Sequence, residues 1–184
     1  AGCVAEPAEC KNPTVPGAKV HLRHIAGPVD IARFNWRRGE QTELADLGNP
    51  VTDTDYTLCV YFEPYPYNGT LELAYRATAP AGGTCAGQPC WRVNGTRGFT
   101  YKDRELTPDG LNLVKLKVGA TGFASAIVKG KGPNLKIAFL GDGTGGGLGT
   151  PIIQLRSSDA GCFEAYFPTA TRNGAYEFKS NAGE

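Results

Sequence analysis

No methionine occurs anywhere in the chain, and histidine occurs only twice. No apolar run approaches the roughly 18 residues that cross a bilayer as a helix. An excess of charge is missing too: 19 Lys and Arg face 18 Asp and Glu, for a net charge of +1. That balance gives no electrostatic case for nucleic acid or an anionic membrane, since such partners leave a basic stripe, and no nucleic-acid partner is expected. Catalytic signatures are equally scarce. Ser125, Ser157, Ser158 and Ser180 lie in no G-x-S-x-G setting. Gly141-Asp142-Gly143-Thr144-Gly145-Gly146 fits G-x-G-x-x-G, but it leads into the strand-like run PIIQLR instead of a helix, and it has no P-loop lysine. It reads as a flexible connection. His21 and His24 spell H-x-x-H, which chelates on a helix; on a strand an offset of three puts the rings on opposite faces. Asp53, Asp55, Asp103 and Asp142 read as turn residues before they read as a weak calcium site. The expectation is a protein that is not an enzyme and uses no cofactor or metal.

What the chain does have is 25 glycines and 13 prolines, placed mostly between short alternating runs. The stretch from Tyr56 to Trp91 sets the pattern. Tyr56, Leu58, Val60 and Phe62 alternate with Thr57, Cys59 and Tyr61; beyond Asn68-Gly69, Leu71, Leu73, Tyr75 and Ala77 alternate with Glu72, Ala74 and Arg76. A period of two, rich in β-branched and aromatic residues, predicts half-buried strands, and Asn-Gly accepts the positive φ angles of a tight hairpin. The same grammar recurs in AKVHLRHI, IARFNWRR, CWRV-NG-TRGFTYKD, LNLVKLKVG, GFASAIVKG, NLKIAFL, PIIQLR and CFEAYF. QTELADL fits either a helical turn or a short edge strand, and the polar tail from Thr171 is expected to fray. Roughly ten short antiparallel strands without an amphipathic helix predict an all-β fold. A β-sandwich of jelly-roll type is the expected form and a closed barrel its rival. One domain over residues 18–184 follows a proline-rich lead-in at 1–17.

Six cysteines without paired zinc knuckles predict disulfides and an oxidising compartment, hence a secreted or cell-surface protein. A start at Ala1-Gly2-Cys3 fits a mature chain whose signal peptide has been removed. Six cysteines allow fifteen pairings. Local spacing favours Cys3 with Cys10 and Cys85 with Cys90, which leaves Cys59 with Cys162 as the long-range staple.

The runs DYTLCVY, ATAPAGGTCAGQPCW, GFTYKDRELTPDGL, VKGKGPNL and SSDAGCFEAYF resemble a domain that recurs in uncharacterised secreted proteins of environmental bacteria. The resemblance covers roughly residues 52–180. It implies a secreted bacterial β-domain and no assigned activity or site.

The candidate binding residues are aromatic. Tyr65 and Tyr67 sit in the proline-stiffened hairpin tip, where they either stand open to a sugar or protein partner or fold back as a satellite cluster. Trp91, next to Cys90, is either a platform or a ring packed on a disulfide. Asn68 and Asn94 head N-G-T acceptor triplets that also serve as turns. The functional expectation is a non-catalytic structural subunit of an extracellular or cell-surface assembly, formed by self-association. Surface stacking is favoured over donation of a terminal strand, and a carbohydrate-binding module using the aromatic tip is the alternative.

Overall fold

The computed structural model describes residues 2–7, 9–24, 29–64, 69–137, 140 and 147–184. Two antiparallel sheets pack face to face over one core. The larger has eight strands in the order β13-β14-β1-β2-β10-β9-β8-β7. Its strands are β1 (Ala18–Arg23), β2 (Ile31–Gly39), β7 (Trp91–Val93), β8 (Gly98–Lys102), β9 (Leu111–Lys117), β10 (Ala124–Lys131), β13 (Arg172–Gly174) and β14 (Glu177–Gly183). The smaller sheet, β12-β11-β3-β4, holds β3 (Tyr56–Phe62), β4 (Glu72–Ala79), β11 (Ile152–Ser157) and β12 (Cys162–Tyr166). β5 (Thr84–Cys85) and β6 (Gln88–Pro89) form a small hairpin closed by the Cys85–Cys90 disulfide.

Alternation decides which side chains enter the core. Ala32, Phe34 and Trp36 of β2 point inward while Arg33, Asn35 and Arg37 point out. Phe34 meets Phe167 edge-on at 6.5 Å, and Trp36 meets Phe163 of β12 at 4.9 Å, contacts that join the sheets. At the other side of the core Trp91 lies between Tyr56 (5.8 Å) and Tyr101 (5.2 Å).

The strand order supports a sandwich but not the expected jelly roll. Consecutive strands of a jelly roll sit in opposite sheets; here β1 and β2, β3 and β4, β11 and β12, and the run β7 to β10 are neighbours within one sheet. Three local expectations also change. NLKIAFL does not form a strand among its described residues: Pro133–Leu135 is a 3-10 turn, Lys136 is left-handed, and the Ile137 amide donates to the buried Asp30 carboxylate. QTELADL resolves into a 3-10 turn at Ala45–Leu47. The tail does not fray, because Phe178 and Ser180 of β14 face the core and the strand pairs with β1 along its length.

The disulfides require the largest correction. Cys3 is bonded to Cys59 and Cys10 to Cys162, in place of Cys3–Cys10 and Cys59–Cys162. Cys59 lies on β3 and Cys162 on β12, with β11 between them. Two strand spacings are about 9.6 Å, too far for the roughly 7 Å limit on bridged Cα atoms. The lead-in therefore runs as a strap over the outer face of the small sheet. It is fixed by Cys3 above β3, by the Tyr61 hydroxyl donating to the Val4 carbonyl (3.0 Å), and by Cys10 above β12. Lys11 then pairs in parallel with β12, its amide donating to the Cys162 carbonyl and its carbonyl accepting from Glu164.

Candidate interaction surfaces

The aromatic tip cannot be placed: Tyr65, Tyr67 and Asn68 lie outside the described residues, as does the glycine-rich run 141–146 with Asp142. Trp91 offers no face to a ligand. It is 2% exposed, and its indole N–H donates to the Pro80 carbonyl at 2.7 Å. Asn94 belongs to a longer connection than the two-residue turn expected. A 3-10 turn at Gly95–Arg97 follows it, and its amide donates to the Thr100 hydroxyl.

The histidines go to separate carboxylates. His21 meets Glu177 (2.8 Å) and His24 meets Asp30 (3.0 Å). The hydrogen bond from His21, foremost, holds the Glu177 carboxyl below its ordinary range. Among the described residues, no three His, Cys, Asp or Glu side chains are gathered as a metal site.

A polar cluster lies on the outer face of the small sheet, where cross-strand register places Cys59, Gln154 and Glu164 in one row. Gln154 is fully buried and donates to Glu164, while Arg156 donates to Gln154 at 3.0 Å. Burial, outweighing these two partners, pushes the Glu164 carboxyl above its ordinary range. The strap is tied down on both sides of this row, at Cys59 and Cys162, so the cluster acts as buried internal polarity.

Edges that invite strand addition are few. β7 and β13, the borders of the large sheet, have three residues each. The free side of β12 is taken by Lys11 and by Glu184, which exchanges two backbone hydrogen bonds with Tyr166. On β4 the Thr78 amide donates to the Asp109 carboxylate. Such covering and shortening guard β7, β12 and β13 against edge pairing, and on β4 one amide is taken in the same way.

Two surfaces stand out among the described residues. At one end of the sandwich the β9–β10 turn carries Phe123, 72% exposed. Thr42 and Gly119 exchange hydrogen bonds there (2.9 and 3.0 Å), and Gly122 donates to Gly39. Leu44 and Val118 line an open groove at the same end. Phe123 is the most exposed of the large hydrophobic side chains among the described residues.

The second surface is the outer face of the large sheet. Its eight strands hold thirteen Lys and Arg: two each on β1, β9 and β10, three on β2, and one each on β7, β8, β13 and β14. They hold one acid, Glu177. These strands therefore carry +12 and the rest of the chain −11, which together make the net +1. Register aligns the charges across strands. One row runs Arg172, Lys179, His21, Arg33, Lys129 and on to Lys102, crossing β9 at Leu113. Six strand spacings make that row about 29 Å long. A groove of about 450 Å³ opens on the same sheet between Asn94, Arg97, Thr100, Lys115 and Lys117. The signal was present in the sequence, because the outward positions of AKVHLR, RFNWR, LVKLK and IVKGK are largely basic; net charge conceals it.

No family model matches the chain, and neither a curated protein nor a solved structure matches it.

Proposed function

We propose that the protein is a non-catalytic structural subunit of an extracellular or cell-surface assembly, built by self-association through preformed surfaces. The observation that carries this reading is Phe123, exposed on the β9–β10 turn at the end of the sandwich where Leu44 is also exposed. An apolar centre with a polar surround is the anatomy of a protein contact. Three disulfides and the absence, among the described residues, of a helix able to cross a membrane are compatible with an extracellular setting. Stacking is preferred over strand donation. The tail, the better donor by sequence, buries Phe178 in its own core, and the strap is disulfide-bonded to its own sheet. The test is light scattering and electron microscopy of the purified protein and of Phe123→Glu. Concentration-dependent association that the substitution abolishes, with the melting temperature kept, supports the reading. A strictly monomeric protein at millimolar concentration removes it.

A further inference from the structure

The geometry points to the outer face of the eight-stranded sheet as a binding surface for an anionic polysaccharide, with the Arg97–Lys115–Lys117 groove seating one acidic sugar unit. The charge on that face is built at a cost. Arg33 stands directly opposite Lys129, and Arg172 directly opposite Lys179, in cross-strand positions where like charges repel. Glu177 offsets a small part of this through His21 (2.8 Å) and Arg172 (3.6 Å). A neutral partner relieves none of that repulsion, whereas a chain of carboxylates or sulfates laid across the strands relieves all of it.

The nature of the face selects among polyanions. The six aromatic residues of its strands, Phe34, Trp36, Trp91, Phe99, Tyr101 and Phe178, are all core, and the exposed Tyr176 is a single ring in the β13–β14 turn, so these strands offer no series of rings on which successive bases could stack. It carries no α-helix among the described residues, and the β5–β6 hairpin beside its β7–β8 border has only two residues per strand, too short to fill a duplex groove. Three disulfides fit an oxidising compartment, which keeps the face from the anionic cytoplasmic leaflet. A second copy supplies no matching surface. Its acids are dispersed over the strap, the loops and both sheets, and several are occupied: Asp46 by Lys11, Asp103 by the Glu105 and Thr107 amides, Asp109 by Thr78. A flexible polymer bearing one acid per sugar can follow the twist of a row of basic positions about 29 Å long. The groove adds directional partners: the Thr100 hydroxyl and Asn94 amide, bonded to each other, line it with the cationic side chains, and their remaining donor and acceptor capacity suits sugar hydroxyls flanking the acid.

The test uses immobilised alginate as probe, with neutral dextran, duplex DNA and phosphatidylglycerol vesicles beside it at matched salt. The protein is expected to be retained on alginate and not on dextran, and to elute as salt screens the contact. Arg97→Glu with Lys115→Glu and Lys117→Glu is expected to weaken binding at least tenfold, while Arg76→Glu with Lys136→Glu, off this face, leaves it unchanged. Should the triple variant fail to fold, Arg33→Gln with Lys129→Gln replaces it with the same expectation. Equal losses from the two sets, retention on dextran, or tighter binding to DNA or vesicles than to alginate overturns the assignment. None of these outcomes touches self-association, which is read from Phe123 in the absence of polymer.

Discussion

Breaking the Cys10–Cys162 bridge by Cys10→Ser and Cys162→Ser is expected to destabilise the protein far more than breaking Cys85–Cys90. The bridged residues are 152 apart in sequence, against 5 for the short loop. Chain entropy assigns about 5 kcal/mol to the long loop and about 2 kcal/mol to the short one. The long value is trimmed slightly by the remaining bridge. With Cys3–Cys59 intact, the path from 10 to 162 shortens to 7 residues back to Cys3 plus 103 on from Cys59, or 110. Because the dependence is logarithmic, that shortening removes only about 0.3 kcal/mol. At about 2–4 °C per kcal/mol for a domain of this size, the melting temperature should fall by roughly 10–20 °C in one variant and roughly 4–8 °C in the other. Calorimetry under non-reducing conditions measures both. A non-reducing tryptic map of the parent checks the premise, since residues 1–11 must remain linked to both 39–76 and 157–172, whereas a Cys3–Cys10 bridge would release 1–11 alone. A Cys85–Cys90 variant that melts as low as the Cys10–Cys162 variant refutes the loop argument.

Trp91→Ala should cost about 3–5 kcal/mol in urea denaturation, because a fully packed ring and its bond to Pro80 are lost, and it should leave alginate binding unchanged. Gly98→Ala should cost about 1–3 kcal/mol or more: Gly98 has φ 124°, and a Cβ there would lie 2.1 Å from the Leu116 carbonyl oxygen of the neighbouring strand. Glu164 titrates in the fold above its ordinary 4.5 because burial disfavours its charge, so its contribution to stability is full below about 4.5 and is lost as pH rises through the folded value. Glu164→Gln, which stays neutral, should therefore be more stable than the parent at pH 7, with the gap closing towards pH 4; denaturation curves at both values decide it.

Period-two alternation determined the all-β character without help from tertiary structure. In residues 32–37, 113–117 and 124–131 each residue's face follows from its parity, because a strand projects successive side chains to opposite sides; bulges at Arg38 and Asn112, which shift the parity of Gly39 and Leu111, were not legible. The oxidised cysteines and the Cys85–Cys90 loop were equally legible, the first from composition and the second from a contact that closes within a few residues. Sheet order was not legible, and two consequences hang on it. Cys59 and Cys162 are kept apart by β11, so the strap takes both, a pairing that depends on which strands are neighbours and on nothing near Cys3 or Cys10 in sequence. The basic face is the second. Each strand contributes only one to three cations, unremarkable alone, and the acids in the loops cancel them in any sum over the chain. Only when β13, β14, β1, β2, β10, β9, β8 and β7 lie side by side do those cations stand about 5 Å apart in rows, close enough for their fields to add instead of being screened.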